Sequence, residues 1–233
     1  FNPQTFELDT LQMIDEQTGE QVTLSCGRNI EIGTDGYIWG LSCINGRNGR
    51  LLRYDRTTCM VRTYLFDHKF TAFTIARKGT IWLIAEPDTP SGLLVSFDPI
   101  AERFEEYYDW ESNNPLSEAT PRYILEAHDS ILWIGTENGL YSINPNTRQT
   151  RSYQVGNGND NQLGSNIIYV IHEDEQHRLW LGTTNGFNIF DPQNNNWKHY
   201  NQQDALASNI VCGFVPTPER KYWISTYNGL SFF

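Results

Sequence analysis

The sequence predicts an all-β chain of the β-propeller class, from three observations: a tryptophan returning in one local setting, a near-verbatim repeat, and glycine turns set between apolar runs. The tryptophans are Trp39, Trp82, Trp133, Trp180 and Trp223, with gaps of 43, 51, 47 and 43 residues. The repeat pairs LWIGTENGLYSINP (132–145) with LWLGTTNGFNIFDP (179–192), 47 positions on. Five repeats follow, and the 233 residues are expected to form one domain, 1–233.

Each repeat divides into four strands. The first is an apolar run such as NIIYVIH (166–172) or NIVCGFV (209–215). It ends in a turn, clearest at Asp35-Gly36-Tyr37 and Lys78-Gly79-Thr80 and degenerate at Asp129-Ser130-Ile131, His177-Arg178 and Arg220-Lys221. The second strand carries the tryptophan, as in LWIG, LWLG and YWIS. Asn138-Gly139, Asn185-Gly186 and Asn228-Gly229 then form the strongest short hairpin signal, because both residues tolerate positive φ. The third strand leads into YDR, FDP, INP and FDP at 54, 97, 143 and 190, where the Asp can bond its own downstream backbone. The fourth holds aromatics such as Phe104, Trp197 and Tyr200.

One such four-stranded antiparallel sheet is marginal alone, whereas sheets stacked face to face around an axis bury both flanks, which explains continuous apolar runs instead of alternation. Phe190 and Phe233 each stand four residues after a turn glycine, and Phe1 opens FNPQTFEL in the same phase. The expected architecture is therefore five blades, the last closed by the N-terminal strand; a fragment of a larger propeller is the alternative.

The charge of −11 disfavours nucleic acid and anionic lipid. No run approaches the ~18 apolar residues of a spanning helix, so this segment is expected neither to insert in a membrane nor to carry a signal peptide. The four cysteines show no CxxC pair; buried thiols are expected, with a Cys26–Cys43 disulfide as an open alternative.

Asn166 to Pro192, NIIYVIHEDEQHRLWLGTTNGFNIFDP, resembles the two-component regulator propeller repeat. The last three repeats match well; the first two lack the GT and much of the NGL but keep the tryptophan and Asp55 and Asp98. The resemblance implies the periplasmic or extracellular sensor part of a bacterial histidine kinase or hybrid regulator, sensing glycan fragments, with other kinase domains as partners.

Tryptophan, glycine and Asp-Pro positions are expected to be structural, so binding residues must lie elsewhere. Loops entering the first strand and loops between the second and third share one face. Arg28, Asn29, Arg122, Tyr123, Asn166 and Asn209 occupy the first set, and Arg47, Glu137, Asn185 and Tyr227 the second. Guanidinium forks, planar amides and exposed rings suit sugar hydroxyls or a peptide, and a glycan or other small-molecule ligand is the expectation. The recurring asparagines fit turn stabilisation too, so repeat-breaking Arg28, Arg47, Arg122, Glu137 and Tyr227 are the stronger candidates.

HEDEQH (172–177) is one residue too long for a zincin pair and reads as a solvated hairpin tip; His68, His128 and His199 stand isolated in sequence. No metal or cofactor is expected. Glu31 and Glu126 are the acids that stand out on first strands, and nothing indicates that they converge, so no catalytic residue is assigned. A non-enzymatic sensing or interaction domain is the expectation, with a glycosidase, a streptogramin-lyase-like enzyme or a lectin-like scaffold as alternatives.

Overall fold

The computed structural model describes residues 13–22, 30–44, 48–86, 93–109, 116, 119–156 and 163–233. The described chain is almost entirely β, apart from one 3-10 turn at Gln202–Asp204. It divides into two compact units, residues 1–70 and 71–233.

In the first unit, β1 (Met13–Asp15), β2 (Gln21–Val22), β3 (Ile30–Ile32), β4 (Ile38–Ile44), β5 (Asn48–Tyr54) and β6 (Met60–Phe66) form one sheet in the order β2-β1-β6-β5-β4-β3. Strands β3 to β6 are the expected meander. The β1–β2 hairpin is an addition that the repeat pattern did not reveal: β1 pairs parallel with β6 through Ile14 and Met60. Its turn is closed by Asp15, whose Oδ1 accepts the N–H groups of Gln17 and Thr18 at 2.9 and 3.0 Å. Met13, Val22, Leu52, Tyr54 and Val61 close over this edge as a small core.

The sheet that opens the second unit orders β10 (Arg103–Asp109), β9 (Leu93–Asp98), β8 (Ile81–Glu86) and β7 (Lys69–Ile75). The third sheet runs β11 (Pro121–Glu126), β12 (Leu132–Thr136), β13 (Gly139–Ile143) and β14 (Thr150–Tyr153). The fourth repeats it with β15 (Ile168–Glu173), β16 (Leu179–Thr183), β17 (Phe187–Asp191) and β18 (Asn196–Tyr200). The fifth has three described strands, β19 (Val211–Pro216), β20 (Tyr222–Thr226) and β21 (Gly229–Phe232). The strand expected to complete it begins at Phe1, which lies outside the described residues.

Within residues 71–233 successive sheets share their cores. Trp82, Ile84 and Leu94 meet Ile124, Ile134 and Tyr141; Trp133 and Leu140 meet Ile168, Leu181 and Trp197; Trp180 and Phe187 meet Val211, Tyr222 and Ile224. Burying such side chains is worth about 1.5–3 kcal/mol each, which is why β12, β13 and β16 are apolar on both faces. Gly182 keeps the approach close, because a Cβ there would meet Val170 at 2.6 Å and the Val211 carbonyl at 2.9 Å. Four of the five repeat tryptophans are buried, and Trp223, on the fifth sheet, is 46% exposed.

The Asp turns form as expected. Oδ1 of Asp98 accepts from Ile100 and Ala101, and Oδ1 of Asp191 from Gln193 and Asn194. Cys59 and Cys212, expected to be buried thiols, are both exposed: Cys59 sits in a turn at φ 60° and Cys212 on a strand irregularity described next. Cys26 and the Cys43 side chain lie outside the described residues.

Candidate functional site

The same irregularity recurs at the start of three first strands. Register shifts between Pro121 and Tyr123 in β11, between Ile168 and Val170 in β15, and between Val211 and Gly213 in β19. Arg122, Tyr169 and Cys212 are thus the extra residues of three successive β-bulges, a device that re-aims a side chain off the sheet. Their spacings, 47 and 43, equal those of the tryptophans.

Opposite each bulge stands a nearly sealed threonine. Thr136, Thr183 and Thr226 donate from Oγ1 to the carbonyls of Gly139, Gly186 and Gly229 at 2.8 to 2.9 Å, which shapes the turn. The residue after each threonine, Glu137, Thr184 or Tyr227, donates its N–H back to Thr120, Ile167 or Ile210. Each of these three sheets therefore presents a pair at this end: Arg122 with Glu137, Tyr169 with Thr184, Cys212 with Tyr227. The framework is common and the presented chemistry differs.

The first two pairs touch. The Arg122 guanidinium forms an ion pair with Glu137 and lies over the Tyr169 ring, 5.1 Å from its centroid. Its side chain is 21% exposed, and Nε is buried without a hydrogen-bond partner among the described residues. Tyr227 is 81% exposed. A planar cation braced on a ring, an adjacent carboxylate and an open phenol offer donors, an acceptor and an apolar face to a polar ligand.

The asparagines at this end serve the frame. Asn166 accepts the Gly139 N–H on its carbonyl at 2.7 Å and the Val155 N–H on Oδ1, also at 2.7 Å. Asn209 does the same for Gly186 and Gln202 at 2.6 and 2.8 Å. Asn185 donates from Nδ2 to Gly164 at 2.9 Å. Tyr123 packs half-buried against the core shared by the third and fourth sheets. Arg28, Asn29 and Arg47 lie outside the described residues. Of the sequence candidates, the structure brings Arg122 and Glu137 together and leaves Tyr227 open. It adds Tyr169 and Cys212, which aligning the repeats on their tryptophans would have placed in the Arg122 column.

The opposite end of the first strands is a row of turns joined by acids. Glu126 Oε2 accepts the Arg77 N–H at 2.9 Å, and Glu173 accepts the His128 N–H at 3.0 and 3.2 Å. Glu126, considered above as a catalytic acid, is thereby a bridge between sheets. His128, isolated in sequence, meets His177 across Glu173, so the HEDEQH segment is more than a solvated tip.

Between the fourth and fifth sheets a cleft of about 450 Å³ is lined by His172, Asp174, Trp180, Lys198, Tyr222 and Phe233, among others. Burial holds His172 below the usual histidine range. Burial raises Tyr222, as do the nearby carboxylates of Asp174 and Glu175. Asp174 is bound internally, by the Trp180 indole N–H at 2.9 Å and the Arg178 side chain at 2.8 Å. The bulged end, where the repeats diverge, is the better candidate site.

Residues 162–185 match the model of the two component regulator propeller family. No curated protein sequence matches the chain. Among solved structures, PorZ, a bacterial surface component of the type-IX secretion system of Porphyromonas gingivalis, superposes with TM-score 0.67 at 13% identity, over 93% of this chain and 35% of that one. The extracellular domain of a protein assigned as a hybrid two component system from B. thetaiotaomicron gives 0.57 at 12% identity, over 93% and 35%. A gluconolactonase from Xanthomonas campestris gives 0.61 at 11% identity, over 88% and 71%. The likeness establishes a propeller-like all-β fold, and the chain spans about 35% of the length of the first two. No helix among the described residues is long and apolar enough to cross a membrane.

Proposed function

We propose that this chain is the ligand-recognising part of an extracytoplasmic sensor of the two-component type, a non-enzymatic five-bladed propeller in the periplasm or at the cell surface of a bacterium. Its ligand is a glycan or a similarly polar small molecule, bound where Arg122, Tyr169, Glu137 and Tyr227 are presented. One observation carries this reading: three bulges built on one frame hold three different residues, with Arg122 laid across Tyr169 of the next sheet. A scaffold needs the frame alone, and a lectin with equivalent sites would repeat the presented residues. The family match at 162–185 and the two-component extracellular neighbour support the sensor context. Against hydrolysis stands the engagement of Glu126 by the Arg77 backbone.

The test is a thermal-shift screen against a glycan panel, followed by titration of the best ligand. Arg122→Ala and Tyr227→Ala are each expected to weaken it at least about tenfold, the loss of roughly 1.4 kcal/mol. Unchanged affinity in both variants would move the site elsewhere, and turnover of the ligand on incubation would make the protein an enzyme.

A further inference from the structure

The turn end of the third and fourth sheets carries an arrangement that ligand recognition at the bulged end does not use. Glu173 closes β15, His177 follows in the β15–β16 turn, and His128 comes from the β11–β12 turn of the neighbouring sheet. His128 Nδ1 lies 2.5 Å from Glu173 Oε1, and His177 Nδ1 lies 3.5 Å from the same oxygen. One donor atom from each of the three residues lies within 4.8 Å of the other two.

We propose that His128, Glu173 and His177 form a binding site for a divalent transition metal ion, with Zn²⁺ the fitting probe. Two imidazoles and one carboxylate suit borderline ions such as Zn²⁺ and are a poor match for Ca²⁺ or Mg²⁺, which take oxygen donors. The carboxylate is already oriented. The His128 N–H reaches both oxygens, at 3.0 Å for Oε2 and 3.2 Å for Oε1, and Arg77 lies 3.5 Å from Oε2. Oε1 also faces both imidazole nitrogens, so the backbone and Arg77 contacts support the carboxylate while one oxygen stays within reach of both rings, as supporting contacts do at metal centres.

Donors about 2.0–2.2 Å from a tetrahedral Zn²⁺ stand about 3.3–3.6 Å apart, so separations from 2.5 Å to no more than 4.8 Å close onto an ion with shifts of about an ångström. The imidazoles stack with centroids 3.5 Å apart and planes 17° from parallel, and because each lone pair lies in its ring plane, the stack must open by tens of degrees for both to aim at a shared ion. His177 is the ring with room to do so, its side chain 45% exposed at the turn surface, and that side leaves a coordination position open to water. Glu173 itself is 11% exposed. A carboxylate so enclosed gains from a cation held at bonding distance, and the bound ion would tie the turns of two sheets together.

The experiment uses the full chain freed of any affinity tag, stripped with EDTA and dialysed, and titrated with ZnCl₂ by calorimetry and thermal shift. One ion per chain and a raised Tm are expected. His128→Asn and His177→Asn should each weaken binding at least about 100-fold, beyond the roughly 10- to 100-fold lost when a supporting contact is removed. His199→Asn, whose ring is bonded to the Asn185 carbonyl at the other end of the fourth sheet, should bind as the parent does. If His128→Asn fails to fold, the exposed His177→Asn carries the test. No Zn²⁺ binding by natively folded protein, or undiminished binding in His177→Asn, overturns the proposal. Neither result bears on glycan recognition by Arg122 and Tyr227.

Discussion

Asp174 is 6% exposed, and its two oxygens serve donors on three residues. Oδ1 accepts the N–H groups of Gln176 and Arg178 at 3.0 and 2.9 Å, and Oδ2 the Arg178 Nε–H and the Trp180 indole N–H. Burial alone would raise its pKa, but the Trp180 and Arg178 donors outweigh it and hold the carboxyl below the usual range. Asp174→Ala leaves the buried indole N–H unpaired and removes the turn's acceptor, so denaturant unfolding at pH 7 should show a loss of about 3 kcal/mol. A folded-state pKa below the unfolded value of about 3.9 means that this stabilisation is complete above it and disappears as pH falls through the lower folded value. The gap between variant and parent should therefore narrow in acid, and a gap independent of pH would contradict the ionised role. In the sequence Asp174 sits inside HEDEQH and reads as a solvated tip, because the residue that encloses it, Trp180, lies across the hairpin.

At the scale of the element, five first turns share one backbone shape. Gly36 and Gly79 take φ of 82° and 89°; Ser130, His177 and Arg220 take 63°, 62° and 60° at the same place in their turns. The left-handed region disfavours a side chain by roughly 1–2 kcal/mol. Ser130→Gly should accordingly raise stability by about 1 kcal/mol in denaturant unfolding, part of the gain being cancelled by the freer unfolded chain. A loss of stability would mean that the Ser130 side chain does more than occupy the turn. The turns were legible because two of the five repeats keep glycine there and the rest align on the tryptophan. The bulges were not. A bulge is a mismatch between two paired strands, and nothing within β11, β15 or β19 alone records it. For the same reason Cys212 reads as an apolar strand residue and stands exposed. The meeting of His128 with His177 was hidden because it joins different sheets.

For the molecule as a whole, 28 acidic against 17 basic residues leave a charge of −11 that works against compaction. Raising NaCl from about 0.01 to 0.15 M shortens the screening length from about 30 to 8 Å. Scanning calorimetry should therefore find a higher Tm in the saltier buffer; a lower one would show attractive ion pairs such as Arg220–Glu175 outweighing the net repulsion. The repeated sheet was legible down to its turns, since each copy confirms the others. What joins one copy to the next was legible only in part: the apolar strands announced shared cores, but nothing in the period sets Trp223, 46% exposed, apart from the four buried tryptophans.

The bond from Gly139 N–H to the Asn166 carbonyl, repeated from Gly186 to Asn209, bears on how such a chain can grow. The third and fourth sheets do not complete their Asn-Gly corners alone; each borrows an acceptor from its successor. A duplication cut at sheet boundaries would strand a glycine amide, whereas one cut between the fourth strand and the asparagine carries the acceptor along. The heritable module and the folded sheet are therefore out of step, and new copies inherit the fastening to their predecessors together with their own strands.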